Sequence, residues 1–283
     1  MEQRQQIMRR LQEMEVAPKR SLGQNFLVSE HVIENIISQV RSFKPKAIVE
    51  IGPGLGSLTE KLLAMAVPIH LIELDREYAR YWKQRETAAQ GANIGSSVAG
   101  GVQVSEADAL HIDWNEIVKN PATLLVSNLP YQIGARVVID RSLGPDSVTK
   151  MILMFQKEVA QRLMATPSTK DYGFLTVVAQ AQWKIRLLLE AKPNDFYPAP
   201  KVTSRVLIFE RLKPMVDEFF VEFVKKAFAQ RRKFMLKSFG PEKEQLLALL
   251  QTLGYDEKVR AEEISVEHFC ELIAKMRTNK KQD

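Results

Sequence analysis

With 283 residues, 45% of them hydrophobic and 26% charged, the chain is long enough for a large core. It has no run near the roughly eighteen apolar residues that a membrane-spanning helix needs. A net charge of +6 suits a polyanionic partner but equally serves solubility. The lone Cys270 and four histidines without metal-ligand spacing exclude disulfide scaffolds and zinc modules, and the charged start lacks the apolar run of a secretory signal. The expectation is a cytoplasmic monomer with no metal and no membrane association.

The opening stretch carries Ile7, Leu11 and Met14 at helical spacing with basic residues elsewhere, a helix that docks on the body of the protein or else lies on a phosphate backbone, docking being the preferred reading. Pro18 breaks that pattern. Ser21 to Leu27 reads as a glycine-containing loop leading into an amphipathic helix around Glu30 to Val40. From Lys46, short apolar runs alternate with helical segments: AIVEI, a glycine loop and TEKLLAMA, then PIHLIEL and REYARYWKQRE. This βαβα order predicts an α/β fold with a mostly parallel sheet. Further strands are expected at Val102 to Glu106, Thr123 to Ser127 and Lys150 to Phe155. Trp183 to Glu190 and Ser204 to Arg211, separated by a proline-rich loop, predict an antiparallel pair at the sheet edge. Small residues between Ala88 and Gly101 suggest an inserted surface loop. Helical stretches about Asp217 to Arg231, Glu242 to Leu253 and Val266 to Met276 follow, so residues 1–211 are expected to form the sheet domain and 212–283 a small all-helical one.

The run from Glu50 to Gly56, EIGPGLG, lies between a strand and a helix, where backbone N–H groups can approach a ligand closely. Its glycines, Gly52, Gly54 and Gly56, depart from the dinucleotide spacing G-x-G-x-x-G, and Pro53 removes a donor, which favours a smaller nucleoside ligand. Glu73 ends the next strand at a distance suited to ribose hydroxyls, and Asp108 follows the third strand, placed to accept from an adenine amine. Either acid alone also reads as a helix cap or strand-end charge.

At the end of the fourth strand stands Ser127-Asn128-Leu129-Pro130-Tyr131, on the sheet edge where open α/β folds bind ligands. An exocyclic amine on a nucleobase is a poor nucleophile, because its lone pair is delocalised into the ring. The Asn128 side-chain carbonyl and the Leu129 backbone carbonyl can accept both amine hydrogens and turn the lone pair toward an electrophile. Tyr131 would stack on the base, as aromatic side chains do where a nucleotide leaves its stack.

Together, SLGQNFL, VEIGPGLGSLT, IELD, EADAL, SNLPY, LMFQKEVAQRL, YGFLTVVAQ, FYPAPKVTS, FAQRRK and RAEEIS resemble the ribosomal RNA adenine dimethyltransferases, from about Lys19 to Leu272. The small-subunit branch of that family is the nearest. The resemblance implies a Rossmann-like methyltransferase sheet with S-adenosylmethionine as donor. As substrate it implies two adjacent adenosines in a hairpin loop near the 3′ end of small-subunit ribosomal RNA, within a pre-30S particle. It implies that Asn25 and Leu27 cover the cofactor, that Glu50, Gly52 and Gly54 hold it with Gly52 at its methionine portion, and that Glu73 and Asp108 take its ribose and adenine. Asn128 would sit between cofactor and base, with Pro130 beside it in the motif and Phe196 offering a second aromatic surface.

Lys225, Lys226, Arg231, Arg232, Lys233 and Lys237 fall in a stretch without acids, and Lys19 and Arg20 form a second basic point near the glycine loop. Both suit a phosphate backbone, although each cation also reads as a solvated helix end. FMLKSFG after QRRK departs from the family pattern, as does the insertion at 92–101. A nicotinamide dehydrogenase would leave SNLPY unexplained, and a DNA amino-methyltransferase would need a target-recognition domain. Large-subunit RNA methylation and a non-catalytic assembly or transcription factor on the same fold are the remaining alternatives, the intact SNLPY speaking for catalysis.

Overall fold

A computed structural model describes residues 2–19, 22–91, 101–213 and 216–279; Arg20 and the central part of the insertion, 92–100, lie outside the described residues. In chain order the elements are α1 (Glu2–Glu13), β1 (Phe26–Leu27), α2 (Glu30–Phe43), β2 (Ala47–Ile51), α3 (Thr59–Leu63), β3 (Ile69–Glu73) and α4 (Arg76–Gly91). Then come β4 (Val102–Glu106), α5 (Trp114–Ile117), β5 (Thr123–Asn128), α6 (Gly134–Leu143), β6 (Val148–Gln156), α7 (Lys157–Leu163) and α8 (Phe174–Gln182). The chain continues through β7 (Trp183–Ala191), β8 (Phe196–Tyr197), β9 (Ser204–Arg211), α9 (Glu218–Ala227), α10 (Lys243–Thr252) and α11 (Val266–Asn279).

Seven strands form one sheet in the order β4-β3-β2-β5-β6-β9-β7. The five strands β2 to β6 run parallel, β9 lies antiparallel to β6, and β7 is outermost beside β9. Every residue of β2 is buried, which is why AIVEI is apolar on both faces apart from Glu50. α2 covers the sheet with Val32, Ile33, Ile36, Ile37 and Val40 and stops at Lys44, a left-handed cap ahead of Pro45.

The opening helix α1 docks as its pattern suggests. Ile7 and Leu11 are buried in a cluster with Phe26, Val28, Leu55 and Tyr78. The Arg10 guanidinium donates to the Leu55 carbonyl in the glycine loop and pairs with Glu60. A two-residue strand that the sequence reading leaves as loop, β1, pairs antiparallel with β8, setting Leu27 opposite Phe196.

The chain divides into two compact units, residues 1–157 with 186–210 and residues 158–185 with 211–283. Residues 158–185 group with the closing helices rather than with the sheet. The reason lies in α8, which buries Leu175, Thr176, Val177, Val178, Ala179, Ala181 and Gln182, so it needs neighbours on every side. Within this second unit Phe220, Met235, Leu236, Leu246, Leu250, Phe269 and Ile273 form the interior. The departure FMLKSFG is therefore core: Met235 and Leu236 are buried, and the Met235 N–H donates to the Val259 carbonyl at 2.9 Å. RAEEIS acts as a backbone clasp. The Glu262 carbonyl accepts the Ser168 N–H at 2.7 Å, and the Ile264 carbonyl accepts the fully buried Tyr172 hydroxyl at 2.7 Å. Tyr172→Phe leaves that carbonyl unpaired and is expected to destabilise the protein by about 1–2 kcal/mol in urea unfolding, with the ring contact to Phe228 retained.

Candidate active site

The carboxyl ends of β2, β3, β4 and β5 converge on one cavity in the first unit, at the point where strand order reverses on either side of β2. The segment Leu22 to Leu27, the glycine loop, Glu73 and Leu74, Ala107 to Ala109, and Asn128 to Ile133 line it. Of the expected site residues, Asn25, Leu27, Glu50, Gly52, Gly54, Glu73, Asp108, Asn128, Leu129, Pro130 and Tyr131 all border this cavity.

Glycine is required in the loop. Gly52 and Gly54 have φ of 65° and 50°, and a β-carbon on Gly54 would come within 3.1 Å of the Phe26 ring. At Gly56, φ is 85° and a β-carbon would lie 2.9 Å from the Trp82 ring. Trp82 Nε1 donates to the Gly54 carbonyl at 2.9 Å, so the loop carbonyls are held from behind by Trp82 and Arg10.

Two buried acids face this loop. Glu73 accepts the Gly54 N–H at 3.0 Å on one oxygen and the Asp75 N–H at 2.9 Å on the other. Burial pushes its carboxyl up to about 7 against those hydrogen bonds. Each oxygen keeps a lone pair for a further donor. Glu50 is 2% exposed, and its Oε2 has no hydrogen-bond partner. Burial pushes Glu50 up to about 8, with the Thr59 hydroxyl opposing the shift and Glu73 adding to it. An orphaned carboxylate oxygen and a backbone bared by glycine are what a cationic, hydroxyl-bearing nucleoside requires, so these residues fit S-adenosylmethionine. Asp108 accepts the Leu110 N–H at 2.9 Å and lies 2.9 Å from His111 Nδ1, which fixes the carboxylate while leaving acceptor capacity.

At the end of β5, Asn128 Nδ2 donates to the Asn25 carbonyl at 3.0 Å. A backbone carbonyl only accepts, so the amide nitrogen must face it and Oδ1 must face away. Tyr131 is anchored by its hydroxyl, 2.9 Å from Oγ of the fully buried Ser204. Burial raises the Tyr131 phenol above its ordinary value.

Several expected residues are placed otherwise. Phe196 is 2% exposed and packs in the sheet core with Leu27, Ile33 and Ala191; it does not border the cavity, because the β1–β8 pairing turns its ring inward. Lys19 bonds Asp75 at 2.9 Å, so its charge is engaged within the fold. In the second unit Lys225 pairs with Glu222 at 3.4 Å, Lys226 with Glu242 at 3.3 Å, and Arg231 with Glu262 at 2.9 Å and the Lys170 carbonyl. Arg232 and Lys233 are exposed, without a side-chain partner among the described residues. Gln24, Asp75 and Ser204 were missed by sequence reasoning. They lie in quoted motifs, GQNFL, IELD and PKVTS, but their residue types point to no chemistry until their partners are known.

The ribosomal RNA adenine dimethylase family model matches residues 16–277. This chain belongs to that family. It is 45% identical over 278 residues to the ribosomal RNA small subunit methyltransferase A of Bdellovibrio bacteriovorus, covering 95% of this chain and 96% of the relative. The protein of that name from Desulfitobacterium hafniense is 40% identical over 258 residues, covering 88% and 89%. Among solved structures, a dimethyladenosine transferase from Plasmodium falciparum shares the fold with a TM-score of 0.72 at 22% identity, covering 89% of this chain and 98% of that one. The 23S rRNA methyltransferase ErmE shares it at 0.62 and 21%, covering 89% and 100%. The chain has the α/β sheet expected from the sequence, and no helix among the described residues is long and apolar enough to cross a membrane.

The raised carboxyls give a pH test. A group with its folded pKa above its unfolded one contributes stability below the unfolded value and loses it as pH rises through the folded value. Donor-free protein should therefore weaken from about pH 4.5 to about pH 8 through Glu50, with a slope of up to about 1.4 kcal/mol per pH unit. Glu50→Gln should remove that contribution. Urea unfolding across this range checks it, and an unchanged slope would contradict the assignment.

Proposed function

We propose that this chain dimethylates the exocyclic 6-amino groups of two adjacent adenosines in a hairpin loop near the 3′ end of small-subunit ribosomal RNA. It acts in the cytoplasm as a monomer on a maturing pre-30S particle. The family and the names of relatives at 45% and 40% identity support the small-subunit reaction. The observation that carries the mechanism is the Asn128 amide, locked with its acceptor oxygen away from Asn25 at the mouth of a glycine-loop cavity.

S-adenosylmethionine supplies, when bound, a methyl group on a positively charged sulfur. Glu50 offers its unpaired oxygen to the cationic end of that molecule, Glu73 holds the ribose hydroxyls, and Asp108 accepts from the adenine amine. Gly52 and Gly54 let the backbone come close, and Asn25 and Leu27 cover the site. Asn128 Oδ1 and the Leu129 carbonyl accept the hydrogens of the target amine and free its lone pair for the methyl. Pro130 shapes the turn beside Gly52, and Tyr131 stacks on the extruded base while Ser204 holds its hydroxyl. Residues 1–157 with 186–210 form the catalytic unit, and residues 158–185 with 211–283 the ribosome-binding one. Arg232 and Lys233, without a side-chain partner among the described residues, offer their charges to phosphate; Lys225, Lys226 and Arg231 contribute from existing ion pairs, as Lys19 does next to Arg20 in sequence.

Labelled methyl transfer to small subunits lacking the modification, followed by nucleoside identification, tests the reaction: dimethyladenosine at two adjacent positions is expected. In single turnover Asn128→Ala should lose at least about 10²-fold in rate with little change in donor affinity. Tyr131→Ala should lose about 1–3 kcal/mol of transition-state binding. Tyr131→Phe should recover most of that rate, while leaving Ser204 unpaired at a stability cost of about 1 kcal/mol. Replacing Arg232 and Lys233 with Ala should lower the slope of particle affinity against salt by about 2, with donor affinity unchanged.

A further inference from the structure

Asn128 can serve a target amine in only one of its two amide orientations, and the group that selects it lies outside the SNLPY run. The two orientations have nearly the same shape, so a hydrogen-bond partner must distinguish them. That partner is the Asn25 carbonyl. Its own position is held from one peptide away. Gln24 uses both ends of its side chain: Nε2 donates to Asp75 Oδ2 at 2.9 Å, and Oε1 accepts the Lys19 N–H at 2.7 Å and the Tyr78 hydroxyl at 3.4 Å. Asp75 is 3% exposed and takes Lys19 Nζ at 3.0 Å and the Glu77 N–H at 3.1 Å on its other oxygen. Burial works to raise the Asp75 carboxyl, but the hydrogen bonds from Lys19 and Gln24 outweigh it and hold the group below the usual range, as an anchoring anion. On the far side of the carbonyl, Asn25 Nδ2 folds back onto the Gly23 carbonyl at 3.0 Å, and Phe26 and Leu27 enter β1.

We propose that Gln24 and Asp75 are positioning residues for Asn128, setting the orientation of its amide through the Asn25 carbonyl. The Asp75 N–H also bonds Glu73, so one unbroken chain, Glu73–Asp75–Gln24–Asn25–Asn128, joins the donor side of the cavity to the side that receives the base. Neither Gln24 nor Asp75 touches the reacting atoms. The inference rests on the methyltransferase reading for its consequence in turnover, but the orientation itself is a property of the protein alone.

Gln24→Met keeps the length of the side chain and removes its three hydrogen bonds, and Asp75 retains Lys19. With asparagine labelled in nitrogen-15, the Asn128 side-chain amide is assigned by its disappearance in Asn128→Ala. In donor-free Gln24→Met its hydrogens should exchange with water about tenfold faster than in the parent protein, while the melting curve stays cooperative. Single-turnover methylation should fall about tenfold, with S-adenosylmethionine affinity by calorimetry within about threefold of the parent. The double variant Gln24→Met/Asn128→Ala should be no slower than Asn128→Ala, because the two act on one group. Should Gln24→Met not fold, Gln24→Glu, which sets a carboxylate against Asp75 but keeps the acceptor for Lys19, is carried through the same measurements. Amide exchange unchanged by either variant, or losses that multiply in the double variant, would overturn the proposal. If the parent protein methylates no ribosomal RNA, the functional reading fails and the amide exchange still decides this one.

Discussion

A carboxylate buried at the end of an apolar strand must find hydrogen-bond donors, and the arrangement around the site follows from how Glu73 finds them. Its two oxygens take the N–H of Gly54 and the N–H of Asp75. The first bond ties the acid to the glycine loop after β2, and the second ties it to the start of α4. Asp75 then caps α4 at the Glu77 N–H and gathers Lys19 and Gln24. The segment Leu22 to Leu27, which borders the cavity, is thus tied to Glu73 through Asp75, and its Asn25 carbonyl accepts the Asn128 amide. Removing charge here does not simply delete a ligand contact; it leaves backbone donors unpaired in a buried place.

The glycine loop is restrained from the opposite side by residues without any direct chemical role. Trp82 and Arg10 hold the carbonyls of Gly54 and Leu55, while Glu60 is shared by Arg10 and Arg85. A loop made of glycines for close approach has high conformational entropy when free, and these ties remove it in advance. The opening helix is therefore part of the scaffold of the cavity. Its apolar face, Ile7 and Leu11, packs on Phe26 and Leu55, the residues that flank the cavity wall.

In the helical unit, cations that look alike in sequence have unlike surroundings. Arg231 is spent on joining Glu262 to the Lys170 carbonyl, and Lys226 pairs with Glu242 while lying over the Phe239 ring. Arg232 and Lys233 have no such partners among the described residues. An ion pair within the fold lowers the gain a lysine makes on meeting phosphate, since the acid must be released first.

Period and punctuation in the chain were enough for the parallel strands, the two neighbouring strands β9 and β7 at the edge, the three closing helices and the placing of Glu73, Asp108 and Asn128 at strand ends. These features depend on residues close in sequence: apolar runs, Gly-rich turns and acids just beyond them. The sequence by itself thus determined the fold class, the family and the edge of the sheet that holds the cavity. Only the tertiary structure decided that Phe196 is core, that α8 belongs with the helices, that Lys19 is tied to Asp75, and which way the Asn128 amide points. Three of these turn on a partner far along the chain: Leu27 for Phe196, Asp75 for Lys19, Asn25 for Asn128. An amide, a phenyl ring or an ammonium group has no fixed role of its own, and its role is settled by burial and by the hydrogen-bond partner that folding brings to it.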